Sequence, residues 1–443
     1  MNRRDYLTTT PVPRLITALA IPTIISMLVT GIYNTADTFF VGKISTQATA
    51  AVGLVFSVMA IIQATGFFFG QGSGSFMSRS LGKGDKETAS EMASFSFALA
   101  LAAGVVLMLA GLKFSTGIAY AIGATSSTME DTVSYLRIIL IGAPFMIGQF
   151  VINNQLRFQG SAMYAMVGLL SGAVINVALD PLLILVFKMG VRGAALATIG
   201  GQITSFFILL VGSTKGENIK LSIKNVRFKG LYLKEIVNGG LPSLFRQGLA
   251  ATSTLLLNVM AGRYGGDAAI AGMSIVTRVT MLLASALIGF GQGYQPVCSF
   301  NYGAGLKNRV REGYFFCVKY GTIFLAAVGA ACCLFTPRII AWFRDDEEVI
   351  AVGSVALRCQ ACVLFLMATI VMSNMMLQSI GKGVKASITS SARNGIFFIP
   401  LILILPRYLG LFGVEITQSC ADVLTMLITV PLAWSELKKL RDT

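Results

Sequence analysis

Twelve stretches of about 20 or more apolar residues follow one another along the chain. They lie at about 15–41, 48–78, 88–112, 129–155, 161–187, 191–213, 235–262, 268–302, 313–336, 348–379, 386–406 and 411–434. A run of this length carries a helix across roughly 30 Å of hydrocarbon. Inside lipid every backbone polar group must be satisfied internally, which leaves helices or a closed barrel. Unbroken apolar runs without strict alternation specify helices. The expected fold class is therefore an all-α integral membrane protein of twelve transmembrane helices. The second, eighth and tenth runs exceed what a bilayer requires, which predicts tilt or projecting ends.

Composition agrees: 55% of the 443 residues are hydrophobic, only 12% are charged, and mean hydropathy is +0.74. The excess of 35 Lys and Arg over 20 Asp and Glu could suggest nucleic acid, but the basic residues are scattered between apolar spans rather than gathered on a domain. Basic connections flanking apolar spans are the mark of a membrane protein, so no nucleic-acid partner is expected. With the N-terminus inside, the inner segments hold 21 Lys and Arg and the outer ones 8. Both termini are accordingly expected in the cytoplasm. The opening Asn2-Arg3-Arg4-Asp5-Tyr6-Leu7 faintly resembles a twin-arginine export signal, but the apolar run behind it is long and lacks a small-residue cleavage site, so it reads as an uncleaved first helix.

The longest polar connection, 215–234, falls at the middle of the chain and separates an expected first lobe, 1–214, from a second, 235–443. Gly70-Gln71-Gly72 with Gly82 and Gly84 recurs as Gly291-Gln292-Gly293 with Gly303 and Gly305, every glycine shifted by 221 positions. Arg157-Phe-Gln-Gly160 has its counterpart at Gln378-Ser-Ile-Gly381, and Pro22 has one in Pro242. Close packing explains each glycine singly but not the common offset. A six-helix shift preserves topology, so the expectation is two six-helix lobes related by a pseudo-two-fold axis along the membrane normal, with the substrate site between them.

Histidine is absent, which removes the usual proton carrier and the commonest metal ligand. Proton chemistry falls to carboxylates, and intramembrane carboxylates are functional candidates by default. Asp180 sits in Asn176-Val-Ala-Leu-Asp180-Pro181, where Asn176 shares its helix face and Pro181 bends the helix beside it. Asp37, with Tyr33 and Asn34 within a turn, lies at a similar depth in the first span, some 7 to 12 Å from the outer face at 1.5 Å per residue. Thr198 and Tyr135 fall at the same level, while Asn153 is nearer the inner end of its span.

Two carboxylates in low dielectric favour the protonated form, and a bound cation favours the ionised one. Protonation and cation binding therefore compete, and oxygen ligands such as Asp37, Asp180 and Asn176 suit Na+ as a hard cation. The alternative is that the acids are structural and pair with arginines in or near spans, with Arg137, Arg246, Arg278, Arg358 and Arg393 as candidate partners. The second half has Leu257 and Leu401 where Asp37 and Asp180 would recur. Asp422 is its one deep acid, read as a solvated outer-cavity residue or part of a secondary cation site. The C-x-x-C pair Cys359 and Cys362 lies in an apolar run and reads as structural.

Together, Pro22, Tyr33 and Asp37, the two Gly-Gln-Gly stretches and Asn176-x-x-x-Asp180-Pro181 resemble the multidrug and toxin extrusion family, over essentially the whole chain. The resemblance is to its bacterial multidrug-efflux members. It implies an antiporter of the bacterial inner membrane, a monomer, that expels lipophilic, often cationic compounds in exchange for H+ or Na+ without a cofactor. It also implies a coupling site of Asp37, Asn176, Asp180 and Thr198, with Tyr33, Asn34, Tyr135 and Asn153 around it. A flippase or exporter of lipid-linked or anionic substrates shares the larger superfamily's architecture, and Arg246 and Arg278 could contact an anionic headgroup. An intramembrane aspartyl protease would show Tyr-Asp and Gly-x-Gly-Asp, where this chain has Ala36-Asp37 and Leu179-Asp180. No nucleotide-binding P-loop is present, so ATP is not the direct energy source.

Overall fold

The computed structural model describes residues 2–440, with the side chains of 32–39 left out of the description. Tyr33, Asn34 and Asp37, three of the expected site residues, therefore lie outside the described side chains.

The first half forms α1 (Val12–Gly42), α2 (Thr46–Lys83), α3 (Lys86–Lys113), α4 (Met129–Phe158), α5 (Ala162–Pro181) and α6 (Gly190–Ser213). A short helix, Arg3–Thr9, precedes them. The second half opens with one continuous element, Gly230–Gly303, of 74 residues. At 1.5 Å per residue a straight helix of this length would be about 110 Å long, several bilayer cores. It is divided by Gly266, whose φ of 63° and ψ of −157° no residue with a side chain adopts readily, into α7 (230–265) and α8 (267–303). There follow α9 (Lys307–Phe343), α10 (Glu347–Val363 and Leu366–Ser379), α11 (Gly383–Ser391 running on to Phe398–Leu409) and α12 (Leu411–Lys439). The twelve spans stand, with α7 beginning at Gly230, five residues before its expected start.

Two of the over-long runs have a different cause from tilt. The eighth is welded to the seventh through Gly266, and the tenth is broken, its two pieces meeting at 57°. The second, Thr46–Lys83, is a single long helix as expected.

Packing repeats between the halves. α2 lies on α4, α4 on α6, α5 on α6 and α1 on α5; α10 lies on α12 and α11 on α12 in the same way. A Cβ on Gly70 would lie 2.9 Å from Asn154, and one on Gly291 would meet Met375, the residue 221 positions beyond Asn154. The amide of Asn153 donates to the Ala165 carbonyl at 3.0 Å, and that of Asn374 to the Ala386 carbonyl at 2.7 Å, again at the same offset. Left-handed glycines also recur: Gly84 (φ 86°) with Gly305 (φ 77°), and Gly160 with Gly381 (both φ 81°). These turns need glycine because a Cβ penalises that conformation, which is why the spacing survives in both halves.

The halves meet along α1, α2, α7 and α8. Gly82 sits against the Phe300 carbonyl and Gly303 against the Arg79 carbonyl, a reciprocal contact in which a methyl group on either side would overlap backbone. Large apolar side chains such as Phe56, Ile61, Val106, Leu255 and Met281 are exposed on the outer surfaces of the helices, as a lipid-facing wall requires.

Candidate functional site

A small cavity of about 30 Å³ opens among α1, α4, α5 and α6, lined by Thr30, Gln149, Asn176, Thr198, Gln202 and Ser205 with small neighbours Gly172 and Gly201. The glycines let α5 and α6 approach closely: a Cβ on Gly201 would lie 2.6 Å from the Gly172 carbonyl and 3.0 Å from the Asn176 Cβ. Asn176 and Thr198, expected at one level from sequence, share this cavity. The Thr198 hydroxyl donates to the Ala194 carbonyl at 3.0 Å, leaving its oxygen as an acceptor. The Asn176 amide is buried, and among the described residues neither its oxygen nor its nitrogen has a hydrogen-bond partner. Buried polar groups almost always have partners, and one without marks a place where a ligand or water belongs.

Asp180, one turn beyond Asn176, is fully buried. Pro181 follows it, and the helix continues as a π-helical turn, Leu182–Val186, in which the Phe187 N–H reaches back to the Leu182 carbonyl. The bend expected from proline is thus a widened turn directly after the carboxylate, a distortion common at functional sites. Tyr135 is fully buried and packs in one cluster with Ile184, Ala194 and Ala195, which neighbour Asp180 and Thr198 in sequence. Asn153 is elsewhere: its amide holds α5 through Ala165, and it lines a second cavity together with Arg157. Among the described residues there is no cluster of three or more Asp, Glu, Cys or His side chains that could hold a metal ion.

In the second half Asp422 is 2% exposed and ion-paired with Arg393 at 2.7 and 3.3 Å, with the Gln418 amide donating to it at 3.0 Å. This corrects the expectation of a solvated residue or secondary cation site, because its charge is already matched. Arg278 and Arg358 are exposed, and Arg137 donates to Ser115 at 3.0 Å.

Sequence reasoning missed a chain of buried amides that crosses between the halves. The Gln71 amide donates to Asn154 at 2.9 Å, and the Gln295 amide to Gln71 at 3.1 Å and to Gln378 at 3.2 Å. Gln378 donates to the Gly239 carbonyl at 2.6 Å and to Ser243 at 2.9 Å. Arg157 donates to Asn154 at one end, and Arg246 to Ser243 at the other. The available signal was a set of amides inside apolar runs, of which Gln71 and Gln378 stand out in the sequence only as members of the repeat.

The face that carries both chain ends is tied shut. Arg79 of α2 pairs with Glu235 of α7 at 2.7 Å and donates to the Ser379 carbonyl of α10 at 3.0 Å. The N-terminal helix bridges the halves, with Arg309 donating to the Thr10 carbonyl at 2.6 Å and Arg3 to Ser161 at 2.9 Å.

Twelve apolar spans in duplicated halves enclosing buried polar cavities have the architecture of a membrane transporter. The sequence profile of the MatE family matches residues 22–182 and again 242–404, so the chain belongs to that family, whose members are transporters and not enzymes. The two matches begin 220 positions apart, at Pro22 and Pro242. Among its relatives is the multidrug export protein MepA of Staphylococcus aureus (strain NCTC 8325 / PS 47), 29% identical over 96% of this chain and 94% of that one. An outward-facing multidrug resistance MATE transporter of the MOP superfamily superposes with a TM-score of 0.93 at 29% identity, covering 100% of this chain and 99% of its own. A MOP superfamily transporter from Pyrococcus furiosus, described by the reverse polarity of its binding pocket, superposes at 0.92 with 28% identity over 100% and 99%.

Proposed function

We propose that the chain is a cation-coupled antiporter of a bacterial inner membrane that exports lipophilic, often cationic compounds in exchange for H+ or Na+. The observation that carries this is the Asn176 amide, buried without a partner among the described residues in a cavity shared with Thr198 and one turn from fully buried Asp180. An arrangement of this kind favours a proton or a hard cation with oxygen ligands. Asp37 completes the coupling site from α1, with Tyr33, Asn34 and Tyr135 around it. Likeness to MepA and to a multidrug resistance transporter supports the export of drugs.

The two lobes, 1–214 and 235–443 joined by 215–234, rock about their shared interface as a monomer surrounded by membrane lipids, with both termini cytoplasmic. Ion at Asp37 and Asp180 favours one access state and drug the other, each by its differential affinity. No cofactor enters the scheme. The reciprocal contact of Gly82 with Phe300 and Gly303 with Arg79 closes the terminal face in the state described. The test is dye efflux from liposomes under an imposed pH or sodium gradient. Asp37→Asn and Asp180→Asn are expected each to lower gradient-driven efflux at least tenfold, and unimpaired efflux in both would sink the coupling site.

A further inference from the structure

Of the C-x-x-C pair, Cys362 on α10 finds its sulfur partner not in Cys359 but in Cys333 of α9, and the two sulfurs lie 3.9 Å apart. The helices approach closely here because Gly329, one turn before Cys333, rests on the Ala361 carbonyl, which a Cβ would meet at 2.7 Å. Cys333 is half-buried and Cys362 exposed. Cys362 continues an exposed stripe of Ala351, Val355 and Arg358 along the lipid-facing wall of α10. Directly beyond it α10 breaks, its pieces Glu347–Val363 and Leu366–Ser379 meeting at 57°.

The framework does not itself demand thiols at this place. The positions 221 earlier hold Leu112, Arg137 and Ile141, so the arginine recurs while the thiols stand where the first half has aliphatic side chains. A thiol reacts as its thiolate, which a nearby cation and access from outside favour. Arg358 stands one turn before Cys362 on the same exposed face, and it is near enough for its charge to act on Cys333. We propose that Cys333 and Cys362 form an oxidative modification site, where a hydroperoxide joins the two thiols in a disulfide that ties the outer piece of α10 to α9 beside its break. Cys362, the more exposed, attacks the peroxide. The O–O bond breaks, an alcohol (water, from hydrogen peroxide) leaves with the thiol proton, and Cys362 becomes a sulfenic acid. The Cys333 sulfur then attacks the Cys362 sulfur, the S–O bond breaks, and the hydroxyl leaves as water with the Cys333 proton. The thiols together lose the two electrons that the O–O bond gains. To reach bonding distance the sulfurs close by about 2 Å, a movement that side-chain rotation supplies.

The inference goes beyond the export reading and needs neither gradient nor substrate, so its failure and that of the coupling site are distinguishable. The test uses the full reduced chain in phosphatidylcholine nanodiscs, treated with stoichiometric cumene hydroperoxide. Mass spectrometry of a non-reducing digest is expected to find the Cys333 and Cys362 peptides joined, with the intact chain lighter by two hydrogens and the change undone by dithiothreitol. Cys333→Ser and Cys362→Ser should each abolish the joined pair, while Cys359→Ser and Cys420→Ser keep it. Cys333→Ser should also leave a sulfenic acid at Cys362 that dimedone captures. Hydrogen exchange shows whether the bridge ties the helices: the amides of Glu347–Val363 should exchange at least threefold more slowly in the oxidised protein, with no such change in Cys333→Ser. Comparison with hydrogen peroxide separates the sources of oxidant. Bridging at lower dose by cumene hydroperoxide assigns an oxidant dissolved in the bilayer, and at lower dose by hydrogen peroxide an aqueous one. Should a serine variant not fold, the wild type decides by itself through the joined peptides and its exchange rates. A bridge between Cys359 and Cys362, no bridge with either oxidant, or unchanged exchange in the bridged protein overturns the proposal.

Discussion

Asp180 and Asp422 are both carboxylates deep in apolar runs, yet their neighbours make them different groups. Asp422 is locked to Arg393 from α11 and to Gln418 on its own helix. Removing its charge would strand a partly buried guanidinium, which costs about 3–5 kcal/mol. Asp422→Asn is therefore expected to lower the thermal midpoint of the purified protein by several degrees while the ion selectivity of transport is unchanged. A changed ion preference in liposomes would restore it as a cation ligand. That Asn176 and Thr198 share one cavity was legible from their depth in the sequence, because a polar group in a long apolar run is expensive enough to need a reason. The sequence could not foresee the ion pair that holds Asp422, since its partner Arg393 lies 29 positions away on another helix. Nor could it place Asn153, whose depth was readable but whose hydrogen bond to Ala165 is a matter of rotation about the helix axis.

The helices themselves were the most readable feature, for the reason that membrane spans announce their length and composition together. What escaped was how consecutive spans join. The polar stretch Arg263-Tyr-Gly-Gly-Asp267 marks a break between spans, but not that helix would continue on both sides of Gly266 alone. A Cβ there would meet no atom within 4 Å, so the cost of Gly266→Ala is conformational alone. Holding alanine in this region of φ and ψ costs about 1–3 kcal/mol. The variant is expected to unfold a few degrees lower in a thermal scan, and an unchanged midpoint would mean that the corner relaxes. Gly303 tests the opposite property, space rather than conformation. A methyl group there overlaps the Arg79 carbonyl, so Gly303→Ala should push α2 and α8 apart and favour the state open on the terminal face. Faster labelling of a cysteine introduced at buried Ser80, on a background without the native cysteines, is the readout.

The duplication was visible because turns that require glycine keep it in both halves, whereas Asp37 and Asp180 have leucines, Leu257 and Leu401, at the equivalent positions of the second half. The halves have kept a common skeleton and diverged in what they carry: Asn153 and Asn374 hold equivalent helices, while Arg157 and Gln378 do unlike work from equivalent positions. Closure of the terminal face then depends on a few contacts, of which the Arg79 to Glu235 pair is the charged one, with side chains 12% and 22% exposed. A hydrogen bond to a charged group contributes about 1.5–3 kcal/mol before solvent screening reduces it. Glu235→Gln is expected to raise the population open on that face by roughly tenfold, read by the same cysteine labelling, and no change would assign closure to the glycine contact alone. The corner at Gly266 bears on how such a movement spreads. α1 and α2 are joined by Lys43, Ile44 and Ser45, but α7 and α8 by a single residue whose two torsions are their only freedom. The second hairpin behaves as a welded angle, in which a push on the end of α7 turns α8 with it. The first is shackled, so α1 can swing or buckle while α2 stays in place. The slack in the molecule thus lies in the half that carries the two acids.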